Sequence, residues 1–372
     1  MNKKRILLMY ISDVSGHRSA AMAIEKAIRH LSGESDIKSI NAFNYTNPIA
    51  EKIINRIYMG VIQKIPKIWE FLYDNQPLIK KFESIKHAVN NSNSGKLKKL
   101  FDEFNPDVVV CTQAFPCGMV ADFKKQYNSN ITLVAVLTDY IPHSYWIYDT
   151  VNYYISPSDE VTLKLVEKGV AQDKIKTLGI PFDHKFGKEI NKKVIRDKLG
   201  LLTDIPVVLI MGGGHGLGPM EDIVNSLEKS QANFQEIVVT GINKKLYHSL
   251  AKKINQCRKK ITLLGFVDNI HELMGISELI ITKPGGITAA EALTKKLPMI
   301  IVKPIPGQEA NNTAYLIEKG AAIKVDEPKN INIAVEELLH NPEKRENMRR
   351  KAEQISKPHS SLNIAELLLH LS

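Results

Sequence analysis

The stretch from Leu279 to Asn312, LIITKPGGITAAEALTKKLPMIIVKPIPGQEANN, constrains the fold of this chain more than any other. A short apolar run at Leu279–Thr282 breaks at Pro-Gly-Gly, becomes a helical pattern over Thr288–Leu293 and returns to an apolar run at Met299–Val302. This alternation predicts a strand–loop–helix–strand–loop unit of a parallel α/β sheet. Both loops then lie at the carboxyl ends of strands, where such sheets bind ligands.

The residues of these two loops suit a nucleotide sugar. Gly285 and Gly286 lack side chains, so a diphosphate can approach the backbone closely. Thr288 stands at the start of the helix, where free N–H groups and the helix dipole favour an anion. Glu291 is one turn further on, where its carboxylate can accept from both hydroxyls of a ribose. The remaining predicted donor contacts of the two loops are Lys283, Gln308, Glu309 and Asn312, with Gln308 and Glu309 assigned to sugar hydroxyls.

A structural explanation of the same residues has to be weighed. A glycine pair between a strand and a helix is common, and a glutamate near a helix N-terminus often serves the helix dipole alone. The second loop, PGQEANN at 306–312, is also polar and lies at the equivalent edge of the sheet. Two such loops side by side favour a binding site.

The motifs GGxTxxE and PGQExxN, which begin at Gly285 and Pro306, resemble the donor-binding half of family 28 glycosyltransferases. Within that family the likeness is closest to the monogalactosyldiacylglycerol synthases and the bacterial diacylglycerol glucosyltransferases, and it covers most of the chain. The resemblance implies an α/β fold of the GT-B type, with two facing Rossmann-like domains, parallel sheets and C-terminal helices that cross back to the first domain. It also implies a UDP-sugar donor, an inverting reaction and neither metal nor cofactor.

The N-terminal half begins with an apolar strand pattern, Ile6–Ile11, followed by the loop SDVSGH and a helix pattern. Gly16 and His17 match the end of a glycine-rich loop in the family, which makes Gly16 a predicted donor contact, whereas the three preceding residues stand where glycines are common. Neutral imidazole is abundant near pH 7, so we predict His17 as the general base.

A second candidate base follows the predicted strand Ile131–Leu137. Asp139 stands at its carboxyl end, where catalytic groups collect in open α/β sheets, although an aspartate there can also be a mere cap. It either orients His17 or acts in its place, and the sequence leaves both open. His143 and Trp146 match a Thr-Asp-x-x-x-His-x-x-Trp pattern of the relatives and are predicted on the acceptor side.

The C-terminal half carries a further glycine run after the strand pattern Val207–Met211. Gly212, Gly213 and Gly214 offer backbone amides for the diphosphate, and the absence of a following Lys-Ser/Thr excludes a P-loop. His215 is predicted to touch the diphosphate, with a structural role nearly as plausible on sequence. The resemblance places the uracil of the donor at Phe266 and Val267.

A chain of 372 residues with 44% apolar residues suits two domains rather than one. We predict an acceptor and membrane-binding domain over 1–185, a linker over 186–206, a UDP-sugar domain over 207–345 and returning helices over 346–372. No apolar run reaches the ~20 residues of a membrane span. Three cysteines without CxxC spacing suit a reducing cytoplasm and argue against zinc.

The net charge of +10 is concentrated between Lys52 and Lys99, where ten Lys/Arg and three Asp/Glu are interleaved with aromatic residues. Nucleic acid, an anionic membrane and a solvated helical face all fit such a segment. Resemblance to lipid-glycosylating enzymes favours the membrane over nucleic acid and implies a peripheral protein at the cytoplasmic face. The predicted acceptor or membrane residues of this segment are Tyr58, Lys64, Lys67, Trp69, Tyr73, Lys80 and Lys81.

The sequence thus predicts transfer of a hexose from a UDP-sugar to diacylglycerol, with glucose and galactose not distinguished. No Asp-x-Asp motif occurs in the chain, which agrees with metal independence. Three alternatives stay open: transfer to an undecaprenyl-linked muramyl peptide, a UDP-sugar 2-epimerase of the same architecture, and a catalytically silent sensor of sugar nucleotides.

Overall fold

A computed structural model describes residues 3–46 and 95–371 of the chain. The chain forms two compact units. The first contains the described residues up to His184, together with Pro306–Gln308 and those from His359 onward. The second contains Lys185–Ile305 and Glu309–Pro358. Each unit is built on one parallel six-stranded sheet, as the α/β patterns predict.

The sheet of the first unit has the strand order β2-β1-β3-β4-β5-β6. Alternate residues of its strands are buried on opposite faces: Leu7 and Met9 join one apolar cluster, and Ile6 and Leu8 join another. Burial on both faces is the reason these strands are apolar throughout. The strand bounds are β1 Arg5–Tyr10, β2 Asp36–Asn41, β3 Val108–Cys111, β4 Thr132–Val136, β5 Tyr153–Ser156 and β6 Ile175–Thr177.

The sheet of the second unit has the order β12-β11-β10-β7-β8-β9. Its strands are β7 Val207–Met211, β8 Gln235–Val239, β9 Ile261–Leu264, β10 Leu279–Thr282, β11 Met299–Val302 and β12 Ala322–Val325. Strands β10 and β11 coincide with the two apolar runs predicted as strands, Leu279–Thr282 and Met299–Val302, and they pair in parallel register.

Helices connect the strands. In the first unit they are α1 Gly16–Leu31, α2 Ala42–Thr46, α3 over 95–104, α4 Ala114–Tyr127 and α5 Asp159–Glu167. Those that follow are α6 Lys192–Lys198, α7 Met220–Leu227, α8 Lys244–Lys253, α9 Ile270–Gly275, α10 Gly286–Thr294, α11 Gln308–Glu318, α12 Ile331–His340, α13 Pro342–Ile355 and α14 Ser360–His370.

The last helix packs in the first unit, as predicted. Leu368 of α14, and Leu371 directly after this helix, are buried in the cluster that contains Ile24 of α1. The hydroxyl of Ser360 donates to the carbonyl of Ile180 at 2.7 Å. The return is shorter than the predicted 346–372, because the charged helix α13 stays in the second unit, where Arg349 pairs with Glu278.

The predicted linker over 186–206 is also part of the second unit. Its helix α6 is anchored by the buried guanidinium of Arg196. That group donates to the carbonyl oxygens of Leu202, Thr203 and Ile205, and to that of Ile276 before β10. Three of these bonds shape the segment itself, and the buried bond to Ile276 ties it to the rest of the second unit.

Candidate functional site

The candidate base, His17, lies at the topological switch point of the first sheet. Strand β1 has β2 on one side and β3 on the other, so the loops that follow β1 and β3 leave the sheet in divergent directions and open a crevice between them. His17 is the second residue of α1, directly after the β1 loop. Thr112 follows β3, and Thr138 and Asp139 follow the next strand, β4.

Two threonines fix the imidazole ring of His17. Its Nδ1 is 2.9 Å from the carbonyl oxygen of Thr112 and 3.1 Å from the hydroxyl of Thr138. The hydroxyl of Thr112 donates to the carbonyl of His17 at 2.8 Å, which closes a reciprocal pair. Because a carbonyl only accepts, Nδ1 carries the proton, and the neutral ring keeps its lone pair on Nε2. Nε2 is therefore the atom that can accept a proton.

The surroundings of His17 favour that neutral form. Burial lowers the pKa of His17 below its ordinary value of 6.5, while the charge of Asp139 and the hydrogen bond to Thr112 act in the opposite direction and do not outweigh it. The position in the first turn of a helix also disfavours an imidazolium. Asp139 is half-buried and acts on His17 through its charge, which stabilises the cation once a proton has been taken up.

Side-chain hydrogen bonds hold the loop before His17 in place of the family's glycines. Ser12 has a left-handed backbone with a φ of 61°. Ser15 is the N-cap of α1, since its hydroxyl accepts from the amide of Arg18 at 3.2 Å and donates to the carbonyl of Ile11 at 2.9 Å. The carboxylate of Asp13 accepts a hydrogen bond from the side-chain amide of Asn41, at the end of β2, at 3.3 Å. This loop is shaped by polar side chains.

The second sheet has its own switch point, between β7 and β10. The two strands end level, since Thr282 is paired with Met211 and its hydroxyl donates to the carbonyl of Met211 at 2.9 Å. The glycine run after β7 and the Lys-Pro-Gly-Gly loop after β10 therefore lie side by side. The loop after β11, on the other side of β10, adjoins them.

The glycine run after β7 is required by its own geometry. Gly213 and Gly216 have φ values of 71° and 57°, in the left-handed region that favours glycine. A Cβ at Gly216 would overlap the carbonyl oxygen of Thr240. Gly214 accepts a hydrogen bond from the amide of Ile242 at 2.9 Å. These glycines pack the β7 loop against the β8 loop, so a structural reason stands beside the predicted phosphate contact.

Gly285 differs from them. Its φ of −59° and ψ of 141° are ordinary for any residue, and a Cβ there would meet nothing within 4 Å. Neither backbone strain nor packing calls for glycine at this position. Open space beside an unhindered backbone at a helix N-terminus is what close approach of an anion needs.

Lys283 and Glu309, both predicted donor contacts, bind each other. The ammonium of Lys283 is 3.1 Å from one carboxylate oxygen of Glu309, and the side chains are 11% and 20% exposed. The other oxygen of Glu309 accepts from the amide of Ile305 at 2.7 Å. The stem of Lys283 runs beside Gly218, where a Cβ would lie 3.5 Å from it. Lys283 thus connects the loops after β7, β10 and β11.

Asn312 is fully buried and donates to the carbonyl of Pro284 at 3.0 Å. This bond fixes the turn before Gly285, so Asn312 would support a ligand through the loop. Thr288 lies in the first turn of α10, Glu291 lies in its second turn, and Gln308 begins α11. All three side chains are half-buried.

The other predicted donor contacts follow β7, β9 and β10. His215 is half-buried in the glycine loop, Gly286 begins α10, and Phe266 after β9 is 66% exposed with Val267 beside it. The edge of the second sheet thus brings together the residues predicted for the donor except Gly16, which lies with His17 and Asp139 at the edge of the first sheet.

The indole of Trp146 lies elsewhere than predicted. It is 4% exposed and belongs to the apolar core of the first unit, with the ring of His143 tilted against it at 6.0 Å. A buried indole packs the protein interior and does not contact a bilayer. The other predicted acceptor or membrane residues, Tyr58, Lys64, Lys67, Trp69, Tyr73, Lys80 and Lys81, lie outside the described residues.

Comparison with known proteins identifies the chain. The family described as monogalactosyldiacylglycerol (MGDG) synthase matches residues 17–182, and the glycosyltransferase family 28 C-terminal domain matches residues 207–365. A processive diacylglycerol beta-glucosyltransferase of Bacillus mycoides is 31% identical over 368 residues, which cover 98% of this chain and 93% of that protein. The chain belongs to the diacylglycerol glycosyltransferases of family 28. It is therefore a hexosyltransferase, as its motifs predicted.

Solved structures of low identity share the GT-B fold of this family 28 glycosyltransferase. MurG of Acinetobacter baumannii superposes with a TM-score of 0.66 at 14% identity, over 99% of this chain and all of that one. HepE of Anabaena in complex with UDP gives a TM-score of 0.59 at 15% identity, over 99% and 100% of the two chains. The predicted fold class is confirmed.

Sequence reasoning gave no role to Thr112 and Thr138, which hold the imidazole ring of His17, the candidate base. Both are polar residues at the ends of apolar strands, which was a usable signal. Their contact with His17 depends on the sheet order, in which β3 lies beside β1 and β4 beside β3.

Membrane-spanning helices and clusters of metal ligands are both absent from the described part of the chain. None of the helices within 3–46 and 95–371 is long and apolar enough to cross a bilayer. Over the same residues, no three or more His, Cys, Asp or Glu side chains are grouped as metal ligands.

Proposed function

We propose that this enzyme transfers glucose from UDP-glucose to the free hydroxyl of diacylglycerol with inversion, giving a β-glucosyldiacylglycerol. Near full-length similarity to a diacylglycerol beta-glucosyltransferase is the observation that carries this substrate assignment. The word "processive" in that relative's name extends the proposal to a second transfer, onto the glucolipid first formed.

The second unit holds the donor. The diphosphate lies over Gly285 and the N-terminus of α10, because this backbone is open and its N–H groups have no partner within the helix. Glu291 takes the ribose hydroxyls, Gln308 the sugar hydroxyls, and Phe266 and Val267 the uracil. Backbone N–H groups of this edge stabilise the negative charge that develops on the leaving diphosphate.

The first unit supplies the base. The oxygen of the acceptor hydroxyl attacks the anomeric carbon, the bond from that carbon to the UDP oxygen breaks, and the hydroxyl proton passes to Nε2 of His17. UDP leaves with the bonding electron pair. Thr112 holds the required tautomer, and Asp139 stabilises the imidazolium that forms. General-base help of this kind is worth about 10²–10⁴-fold in rate.

A lipid acceptor places the enzyme at a membrane surface, and we propose a peripheral protein at the cytoplasmic face that binds anionic bilayers and no nucleic acid. All three cysteines are free thiols, which suits a reducing compartment. No metal or cofactor has a role in this scheme, because backbone amides stabilise the diphosphate.

The test is UDP release from UDP-glucose, or UDP-galactose, by the purified protein with and without diacylglycerol vesicles. Release with UDP-glucose that depends on vesicles supports the proposal. Faster release with UDP-galactose would change the sugar assignment. Isomerisation of the nucleotide sugar without vesicles would support a 2-epimerase, and binding without turnover a sensor. The muramyl-peptide alternative predicts release with that acceptor instead, and the low-identity likeness to MurG speaks for the fold alone.

A further inference from the structure

A second concentration of positive charge lies in the second unit. Between Ile242 and Val267 the chain has seven Lys or Arg and no Asp or Glu. The segment covers the loop after β8, helix α8 and strand β9 at the edge of the sheet. The fold neutralises some of these positive charges and leaves others exposed.

The fold uses four of the seven. Lys253 pairs with Glu221 at 3.1 Å, and Arg258 pairs with Glu228 at 3.0 Å. Lys259 donates to the carbonyl of Ala232 at 2.8 Å, and Lys260 donates to that of Gly200. These side chains tie the edge of the sheet to its neighbours and are not available to a partner.

The remaining three lie together on the solvent side of α8. Lys244, Lys245 and Lys252 are exposed, with His248 between them, whereas Leu250 on the opposite side of the helix is buried. At 100° per residue these four positions fall within one third of the helix circumference. The carboxylate of Glu221 beside them is already bound by Lys253, so the face keeps its positive charge.

An exposed apolar side chain adjoins this face, directly before α8. Ile242 is 46% exposed, and its amide donates to the carbonyl of Gly214 in the glycine loop at 2.9 Å. Asn243, the N-cap of α8, donates to the carbonyl of Gly216 at 3.2 Å. The corner formed by Ile242 and the lysine face of α8 is thus bonded to the loop predicted to hold the donor.

We infer that this corner, Ile242 with Lys244, Lys245 and Lys252, is a docking surface for an anionic phospholipid bilayer. Lysines on one helix face beside an exposed aliphatic side chain are the pattern of a surface that rests on lipid headgroups. The charge and exposure lead to the bilayer by themselves; its purpose, to hold the donor loop near a lipid acceptor, rests on the proposed function.

The experiment compares two variants of the full chain that change the same charge. One is Lys244→Gln, Lys245→Gln, Lys252→Gln; the control is Lys192→Gln, Lys193→Gln, Lys198→Gln, on the exposed lysines of α6 in the same unit. Association is measured by co-sedimentation with phosphatidylcholine vesicles with and without phosphatidylglycerol. Each surface lysine is worth about fivefold, so the α8 variant should lose at least about tenfold in affinity for anionic vesicles. The control should lose less than about threefold.

Two further measurements distinguish electrostatic docking on the bilayer from a general loss of enzyme activity. The loss should shrink as salt is raised, because a lysine–headgroup attraction is screened. Turnover of a water-soluble short-chain diacylglycerol should be unchanged in the α8 variant, while turnover on vesicles falls. Equal vesicle binding by both variants would overturn the inference. An inactive wild type with every acceptor would refute the proposed function and leave the vesicle result intact.

Discussion

His17 shows how one side chain acquires its chemistry from backbone it touches. The carbonyl of Thr112 sets the tautomer, the α1 N-terminus and burial keep the ring neutral, and Asp139 prepares it to accept charge. Each contribution comes from a different strand end of the same sheet. The tautomer and the surroundings that suit His17 to the proposed general-base role thus follow from the sheet order β2-β1-β3-β4.

Replacing the imidazole should therefore affect turnover and not donor binding. In His17→Ala we expect kcat to fall by about 10²–10⁴, because the proton acceptor is lost. The UDP affinity, measured by calorimetry, should stay within about twofold of wild type, since all the predicted donor contacts except Gly16 and Gln308 belong to the second unit. A matching loss of UDP affinity would show that His17 serves the donor.

Glu236 is a residue that the proposed chemistry does not use. Its side chain is fully buried in β8, neither carboxyl oxygen has a hydrogen-bond partner among the described residues, and burial raises its pKa to about 8. The folded protein therefore holds a proton that the unfolded chain, with an ordinary pKa of 4.5, releases. This proton stabilises the fold below about pH 4.5, and the stabilisation is lost as the pH rises toward 8.

The variant Glu236→Gln should remove this dependence. Relative to wild type its free energy of unfolding should rise between pH 5 and pH 8, by up to about 1.4 kcal/mol per pH unit. In this range the wild type must take up a proton on Glu236 when it folds, or else bury the charged carboxylate. Denaturant unfolding of both proteins across that range measures the difference. A difference that does not change with pH would mean that Glu236 does not titrate in this window.

At the scale of elements, the Lys283–Glu309 pair joins the loop after β10 to the start of α11. Both side chains are largely buried, so removing one partner leaves an uncompensated charge. We expect Lys283→Met and Glu309→Gln each to lower the free energy of unfolding, and the double variant to lose less than their sum, with a coupling of about 0.5–3 kcal/mol. Denaturant unfolding of the four proteins measures this cycle. Strict additivity would contradict the pairing.

Two loop glycines of the second unit should respond in opposite ways to the same substitution. Gly216→Ala forces a side chain into left-handed backbone against Thr240 and should cost about 1–2 kcal/mol or more in stability. Gly285→Ala should change stability by less than about 1 kcal/mol, since its space is open, yet weaken UDP-glucose binding. Thermal melts and calorimetry separate the two. UDP-glucose affinity unchanged in Gly285→Ala would remove the diphosphate from this loop.

The strands around the donor loops could be predicted to the residue, because buried parallel strands are continuous apolar runs between Gly and Pro turns. The sequence did not give the contacts of Thr112 and Thr138 with His17, which depend on strand order. It also missed that Lys283 neutralises Glu309 and that Trp146 is a core residue, because side-chain pairing and burial of single polar or aromatic residues carry no periodic signal.

At the scale of the whole molecule, the hexosyltransferase consists of two parallel-sheet units, each with its own predicted site residues. The crossing segments belong to the bodies they bind: Arg196 secures 186–206 to the second unit, and Ser360 secures α14 to the first. In the proposed mechanism the second unit binds the donor and the first supplies the base. Because a single displacement inverts the anomeric carbon, the configuration of the product tests this mechanism.

The most direct test is proton NMR of the lipid extracted after incubation with UDP-glucose and diacylglycerol vesicles. A single in-line displacement assisted by His17 predicts glucosyldiacylglycerol whose anomeric proton shows the large diaxial coupling of a β-glucoside, formed at least about 10²-fold more slowly by His17→Ala. An α-glucoside, or a lipid fraction free of glucose while the nucleotide sugar is consumed, would contradict the account.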